Sequence, residues 1–298
     1  MQKAEVRAAE PKPVVSWCLG GKDPIRVLSR LAALGAASCL LAGCVGAGRV
    51  EPASAFARLE PEATVELGSP AAAICQDGEG LLVLENSGTR VIRYTMALSI
   101  LDTIPLTERV TAPAGIAADR FYIYIYDDRT LYRTSRDKLN LQPWVGDVRV
   151  AGLASFEPGI MLVSDADRNV IWYKGLFGES RLFLSTAEAA RPGAMVALGD
   201  GSFAVLRPAS RLLFFFNRSG VVTRSISLPS ACDLLAANEQ GLLCMGVRGK
   251  PQVWVLNAGK MTGYSLPDSV SPLSIALVRD RLVVLDAGTR LSVCRIVE

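Results

Sequence analysis

Few side chains in this sequence could carry out chemistry, and one missing residue type limits them further. The chain of 298 residues contains no histidine. It therefore offers no histidine general base, no Ser-His-Asp or Cys-His nucleophile and no histidine-bound zinc or haem. Carboxylate, lysine and tyrosine chemistry remains available, as does cation binding by oxygen ligands. The candidates are one cysteine near the N-terminus, a few aspartates and a row of tyrosines.

Cys44 stands at the end of an apolar segment, directly after Leu41, Ala42 and Gly43. Two arginines precede the uncharged run Leu31–Leu41, which has the length of a secretory signal core. The combination resembles the lipobox of bacterial lipoproteins. In that family the cysteine thiol receives a diacylglyceryl group, and a peptidase that needs small residues beside the bond cuts before the cysteine. The resemblance implies cleavage between Gly43 and Cys44, and several acyl chains would then anchor the protein stably.

Other interpretations of this segment are a transmembrane helix or a chance cysteine. The uncharged stretch 31–48 is 18 residues long, which is borderline for crossing a bilayer, and is rich in Ala and Gly. Residues 1–25 contain acidic residues and prolines that do not suit a signal, so translation starts near Val27 or the basic region is unusually long. Val45, rather than aspartate, follows the cysteine, which resembles the outer-membrane pattern in double-membrane bacteria.

Three regions follow from this pattern. Residues 1–43 are a predicted signal peptide, 44–62 a lipidated cysteine with a flexible Gly-, Ala-, Pro- and Glu-rich tether, and 63–298 a folded domain. The first region holds six of the 32 basic and three of the 29 acidic residues, so the rest of the chain is neutral. A neutral body lacks the charge expected of a nucleic-acid-binding protein, and it has no polybasic segment for anionic lipid.

The predicted domain repeats with a period of about 40 residues. Each unit has an apolar strand rich in alanine, a polar turn, a denser apolar strand, a second turn and a third strand, often with a weaker fourth. The first turns centre on Gly78, Asp119, Pro158, Asp200, Gln240 and Asp280. Six such units predict an all-β fold, a six-bladed β-propeller of four-stranded blades. The last unit lacks a fourth strand, so we predict that Ala63–Gly68 completes it and closes the ring.

The second turns resemble NHL repeats, in which an apolar strand, an aspartate, a short turn and another strand follow one another. The matching segments are Leu82–Tyr94, Leu162–Lys174 and Val283–Arg295. The similarity extends over most of 63–298, although each copy is degenerate and two units lack the aspartate. WD40 repeats fit less well, because none of the four tryptophans precedes aspartate. The resemblance implies a fold used mostly for binding, with a minority of enzymes.

Four aspartates are the candidates for a cation site. Asp127, Asp165 and Asp286 recur at equivalent turns, where they could form a carboxylate ring or accept backbone N–H bonds; we expect the second. Asp233 is the only charged residue well inside a predicted central strand and is a weak metal candidate. Lactonases of the gluconolactonase kind surround a divalent cation with several such residues, and one carboxylate cannot do this. We therefore expect no cofactor, and Asp233 to bond neighbouring backbone at the channel mouth.

Aromatic side chains could stack on a ligand or fill the core. Tyr122, Tyr124 and Tyr126 alternate along one strand, and we expect them to pack between blades. We expect the same, or a place at a blade edge, for Trp144, Trp172, Trp254, Phe214, Phe215 and Phe216. Several of them exposed together would instead form a protein-binding patch.

Four cysteines fall within the predicted domain: Cys75, Cys232, Cys244 and Cys294. If residues 238–241 form a turn, Ala237 pairs with Leu242 and Leu235 with Cys244. Cys232 then lies on the opposite face of the sheet. A Cys232–Cys244 disulfide is therefore not expected, and buried free thiols are.

The sequence favours a non-enzymatic lipoprotein, exported and held by its N-terminal lipid in the bacterial envelope, where it binds a protein partner as a scaffold. Two alternatives stay open. One is an exported metal-dependent hydrolase or lactonase, which would need at least three oxygen ligands at the channel mouth. The other is a sensor of small ligands or glycans, which would need aromatic side chains in the central pocket.

Overall fold

The computed structural model describes residues 56–136, 140–185, 191–267 and 270–296. Cys44 and the preceding Leu41, Ala42 and Gly43 lie outside these residues, and lipid attachment therefore remains a prediction. No helix in the described part of the chain is long and apolar enough to cross a bilayer. Those residues are mainly β-strands and turns, with a single-turn 3-10 helix at Pro208–Ser210.

The strands form six antiparallel blades of four strands each, which confirms the predicted all-β six-bladed propeller. The innermost strands of blades 1 to 6 are β3 (Ala71–Asp77), β7 (Gly115–Ala118), β11 (Val150–Glu157), β15 (Met195–Ala197), β19 (Leu234–Ala237) and β23 (Pro272–Val278). The second strands are β4 (Gly80–Glu85), β8 (Tyr122–Tyr126), β12 (Ile160–Asp165), β16 (Phe203–Arg207), β20 (Leu243–Gly246) and β24 (Arg281–Asp286). The third strands are β5 (Arg90–Tyr94), β9 (Thr130–Ser135), β13 (Val170–Lys174), β17 (Leu212–Phe216), β21 (Gln252–Asn257) and β25 (Arg290–Arg295). The outermost strands are β6 (Ile100–Pro105), β10 (Gln142–Gly146), β14 (Ser180–Leu184), β18 (Val222–Ser227), β22 (Lys260–Ser265) and, in blade 6, β2 (Pro61–Glu66).

The core lies between the blades. Consecutive innermost strands contact each other around the ring, including β23 with β3, and one apolar cluster fills each of the six interfaces. In β4, Leu81 and Val83 face blade 6, whereas Leu82 and Leu84 face blade 2. Because both faces of a blade are buried, its second strand is a continuous apolar run.

The N-terminal strand completes the last blade, as predicted. β2 runs antiparallel to β25, with Val65 opposite Leu291. It begins at Pro61 rather than at the predicted Ala63, because the pairing continues across a bulge to Cys294. The ring is thus closed by hydrogen bonds between the first and last parts of the propeller.

The end of the predicted tether also belongs to the propeller. β1 (Ala57–Arg58) runs parallel to β22 as a fifth strand of blade 5. Leu59 is buried between blades 5 and 6. The ring of Phe56 packs edge-on against that of Trp254, with 6.1 Å between the ring centres. Burial of Leu59 favours docking of a segment whose composition alone predicted a flexible chain.

The antiparallel order places the turns on two faces. Turns between first and second strands, and between third and fourth strands, lie on what we term the lower face. Turns between second and third strands, and the connections between blades, lie on the upper face. The recurring aspartates Asp127, Asp165 and Asp286 are therefore on the upper face.

Candidate functional site

A cavity of about 540 Å³ opens on the upper face at the mouth of the central channel. Its walls are the first residues of the innermost strands, mainly alanine, glycine and proline. A narrower cavity of about 140 Å³ shares part of this wall and lies deeper between the strands. The charged side chains that border the mouth are Arg149, Asp233 and Arg248.

Bulges shape the channel end of three innermost strands. In blades 1, 3 and 6, one residue of the innermost strand has no pairing partner on the second strand. These residues are Ala72, Ala151 and Leu273, respectively. All three line the cavity. A bulge bends its strand and leaves one residue outside the ladder, which is common beside binding sites.

Tyr126 reaches the mouth from blade 2 because the residue beside it is glycine. Tyr126 pairs with Gly115 across β8 and β7, and a Cβ at position 115 would overlap the end of the tyrosine ring. Burial raises the pKa of the Tyr126 phenol, and the Arg248 guanidinium opposes that rise. Arg248 belongs to blade 5, opposite blade 2 in the ring, so a phenol and a guanidinium from facing blades line the same mouth.

Asp233 bonds neighbouring backbone at the channel mouth, as expected. Its Oδ1 accepts the backbone N–H of Arg248 at 2.8 Å, and its own N–H donates to the carbonyl of Gly246 at 3.0 Å. Its Oδ2 lies 3.8 Å from Nε of Arg248. No group of three acidic or cysteine side chains among the described residues could hold a metal ion. The charged group that lies beside Asp233 is thus the guanidinium of Arg248.

The three recurring aspartates hold turns and connections in place. Oδ1 of Asp127 accepts two backbone N–H groups of its own turn, at 2.9 and 2.7 Å. Oδ1 of Asp165 likewise accepts two, both at 3.2 Å. Asp286 instead accepts the backbone N–H of Ser271, at 2.6 Å, and so ties a connection between blades. Each carboxylate acts as a backbone acceptor, which was the expected role.

In blade 1 the position of the recurring aspartates, at the end of the second strand, is taken by Glu85. The sequence analysis did not single out this residue. Glu85 accepts hydrogen bonds from the Ser69 hydroxyl and from Nε of Arg90, both at 2.5 Å. Burial favours the neutral acid, but these hydrogen bonds hold the pKa of Glu85 below its ordinary value of 4.5. Alignment of Leu82–Tyr94 with the other NHL-like segments could have identified Glu85.

The tyrosines of β8 divide between core and channel. Tyr124 is fully buried between blades 2 and 3, and its hydroxyl donates to Asp119 at 2.8 Å. Tyr122 packs against the same cluster beneath the guanidinium of Arg133, 4.6 Å from its ring. Tyr126 touches this cluster too but also borders the cavity. Core packing is thus confirmed for Tyr122 and Tyr124 and is only part of the role of Tyr126.

The other aromatic candidates lie in the core or at its margin, as expected. The residues buried between blades are Phe214, Phe215, Phe216 and Trp254. Trp144 and Trp172 are partly buried against the cluster between blades 2 and 3. The aromatic residues that are most exposed are different ones, Phe121 and Phe177, and they lie on the lower face.

Phe121 and Phe177 form an exposed apolar pair on the lower face, in blades 2 and 3. Phe177 is 92% exposed and Phe121 is 50% exposed. Their sequence neighbours Leu176 and Tyr122 both reach within 3.5 Å of the Cβ position of Gly159. The two turns are therefore adjacent across the interface between the blades.

Hydrogen bonds hold the turn that carries Phe177. The Phe177 N–H donates to Oε2 of Glu179 at 3.0 Å, and the Gly175 N–H donates to the Glu179 carbonyl at 2.9 Å. Arg133 of blade 2 donates from Nη1 to the carbonyl of Leu176 at 3.0 Å. An almost wholly exposed phenylalanine is thus presented on an ordered turn.

The cysteines of the described residues are free thiols. Cys232 lies in the cluster between blades 4 and 5, and Cys244 in that between blades 5 and 6. They are therefore on opposite faces of blade 5, as predicted. Burial raises the pKa of Cys232 and of Cys294 to about 11. Cys75 is only half-buried, against the cluster between blades 1 and 2, unlike the buried position expected.

The strand register behind that cysteine prediction is wrong by one residue. Ala237 pairs with Leu243 rather than with Leu242, and Cys244 pairs with Ala236. The cause is Asn238, whose Oδ1 accepts the backbone N–H of Leu242 at 2.9 Å and lengthens the turn. Cys232 still lies on the predicted face because it precedes β19, which begins at Leu234.

Comparison with known proteins shows what this arrangement is similar to. No protein-family model and no curated protein matches the sequence. A streptogramin B lyase structure aligns over 78% of this chain and 97% of its own, with a TM-score of 0.58 and 10% identity. Virginiamycin B lyase from Staphylococcus aureus aligns over 73% and 77%, with a TM-score of 0.56 and 14% identity. The WD40 propeller domain of Doa1 aligns over 82% and 98%, with a TM-score of 0.60 and 12% identity.

The chain is a β-propeller. At 10 to 14% identity these likenesses establish the fold alone. The same architecture serves a lyase in one neighbour and a WD40 domain in another, so the function of this propeller must be argued from its own residues.

Proposed function

We propose that this protein is a lipid-anchored, non-catalytic propeller of a bacterial cell envelope, and that a protein partner docks on its lower face at Phe121 and Phe177. The acyl chains would be carried by Cys44. The observation that carries the docking part is the ordered turn bearing Phe177, which is 92% exposed.

Exposed phenylalanine favours a partner because its removal from water is the main gain of association. Aromatic side chains are enriched at the centres of protein interfaces and supply much of their binding free energy. An ordered turn also lowers the conformational entropy lost on binding. Arg120, whose guanidinium lies 5.6 Å from the centre of the Phe121 ring, adds a cation at the edge of the surface.

The anchor is supported by Leu41-Ala42-Gly43-Cys44 and by the neutral charge of the chain beyond it. The described part of the propeller begins at Phe56, which is 12 positions after Cys44. The alternative of a metal-dependent hydrolase needs several oxygen ligands at the channel mouth. The described lining there offers one carboxylate, Asp233, beside Arg248.

The test is site-specific photocrosslinking of the full chain in its native membrane. A photoreactive phenylalanine analogue replaces Phe177 in one strain and Ile100 in another. Ile100 is a matched control because it is also exposed and apolar, but it lies on the outer strand of blade 1. We expect one protein to crosslink at position 177 and not at 100. Phe177→Ser should lower recovery of that protein in detergent purification by about tenfold or more.

Two results would contradict the proposal. Equal crosslinking at both positions, or none at 177, would rule out the surface around Phe121 and Phe177 as the docking site. A Cys44→Ala protein that stays in the membrane fraction as the parent does would remove the lipid anchor.

A further inference from the structure

We infer that the mouth of the central channel binds a small organic carboxylate, held by Arg248 and Tyr126 between walls of small residues. This site lies on the upper face, away from Phe121 and Phe177. It is therefore independent of the protein partner proposed above.

The guanidinium of Arg248 has hydrogen-bonding capacity to spare. Its backbone N–H is used by Asp233, but its Nε lies 3.8 Å from that carboxylate, beyond hydrogen-bond length. The side chain donates no hydrogen bond to another described residue. The guanidinium that borders the cavity carries five N–H donors. Two of them are spaced so that they can donate to the two oxygens of one carboxylate.

Tyr126 supplies a second donor. Its ring is placed at the mouth by Gly115, and its hydroxyl has no hydrogen-bond partner among the described residues. Arg248 and Tyr126 line the same two cavities, although they come from opposite blades. One anionic group between them could accept a hydrogen bond from each.

Each arginine at the mouth has one carboxylate partner, so the positive charge that favours an anion comes from the surrounding upper face. Two cations, Arg149 and Arg248, and one carboxylate, Asp233, border the cavity, and Arg149 is also paired with Asp167 at 3.3 Å. Further cations on the upper turns and connections of blades 4 and 5 have no ion pair with described residues. They are Arg191, Arg207, Arg211 and Lys250.

The walls indicate the size of the molecule that carries the anion. Alanine, proline and glycine dominate the lining, with Val150 and Leu273 as the larger apolar side chains, and about half of the exposed lining surface is polar. A volume of about 540 Å³ falls in the range of small-molecule sites. A small aliphatic or aromatic carboxylic acid has the required charge and a body of suitable size.

The probe is 4-fluorobenzoate, followed by fluorine NMR with the full chain in detergent. Its neutral counterpart is 4-fluorobenzamide. We expect saturable binding of the acid, at least about fivefold tighter than that of the amide, and weakening as salt rises. Arg248→Gln should lower affinity by about fivefold or more, and Tyr126→Phe by about twofold to tenfold.

The matched control is Arg279→Gln. Arg279 is an exposed arginine with one ion-pair partner, Glu79, like Arg248 with Asp233, but it lies on the lower face. Its replacement should leave affinity unchanged. Absence of saturable binding, equal binding of acid and amide, or unchanged affinity in Arg248→Gln would overturn the inference. Tyr126→Phe keeps the aromatic ring, so it tests the site even if Arg248→Gln does not fold.

Discussion

The ring of Tyr126 occupies the space that a side chain at Gly115 would need. The two residues are paired on adjacent strands of blade 2, and a Cβ on the glycine would overlap Cζ of the tyrosine. A missing side chain in the innermost strand thus lets a second-strand residue reach the central channel. This relationship explains how a residue one layer away from the axis can take part in a site on the axis.

Gly115→Ala should displace Tyr126 and lower the free energy of unfolding by about 1 to 3 kcal/mol, because the added methyl overpacks the strand pair. Urea denaturation of the full chain measures the change. The double variant Gly115→Ala/Tyr126→Ala should lose less free energy of unfolding than the sum of the two single variants, because removal of the tyrosine ring relieves the overlap. Gly146→Ala is the control, because nothing lies within 4 Å of its Cβ position. Equal costs at positions 115 and 146 would contradict the explanation.

Deletion of residues 1–66 should destabilise the propeller far more than deletion of residues 1–55. The longer deletion removes β2, which closes blade 6, and Leu59, which is buried between blades 5 and 6. Loss of a buried leucine alone costs about 2 to 5 kcal/mol. Thermal unfolding followed by circular dichroism compares the two variants. Similar midpoints would show that the N-terminal strand does not close the ring.

Asp165 should make the protein sensitive to acid. Burial favours its neutral form, but hydrogen bonds from Arg168 and Trp172 outweigh burial and hold its pKa below the ordinary 3.8. A lowered folded-state pKa stabilises the protein fully above the unfolded value and loses that effect as pH falls through the folded value. Urea titrations from about pH 5 to about pH 2 should show this loss, and Asp165→Asn should reduce it.

The same replacement should lower stability at neutral pH by about 1 to 3 kcal/mol, because an amide cannot accept all of these bonds. Asp128→Asn serves as the matched control, since Asp128 is exposed at the equivalent turn of blade 2. If the acid dependence of Asp165→Asn equals that of the unaltered protein, another group is responsible.

The thiols of the propeller should react slowly while the chain is folded. Burial raises the pKa of Cys75, Cys232, Cys244 and Cys294, so little thiolate is present at neutral pH. Iodoacetamide followed by peptide mass spectrometry should label all four much more slowly in the folded chain than in the denatured chain. A disulfide-linked peptide joining Cys232 to Cys244 would contradict the assignment of these residues to opposite faces of blade 5.

The sequence alone determined the architecture of this protein. The period of about 40 residues, with second strands that are apolar on both faces, was enough to predict six blades. The N-terminal strand without a partner was enough to predict how the ring closes. These features are local or periodic, so they are visible along the chain. The turn-fixing role of Asp127 and Asp165 followed for the same reason, because their hydrogen-bond partners lie within three residues.

Only the tertiary structure placed Tyr126 and Arg248 in the lining of one cavity, because they lie 122 positions apart and on opposite blades. It also decided which aromatic residues are exposed. Phe121 and Phe177 are no more polar than Phe214 and differ from it only in standing at turns rather than between blades. One side chain, Asn238, shifted a strand register that spacing had placed one residue away. Such outcomes depend on contacts between distant residues and on single hydrogen bonds, and neither leaves a periodic signal in the sequence.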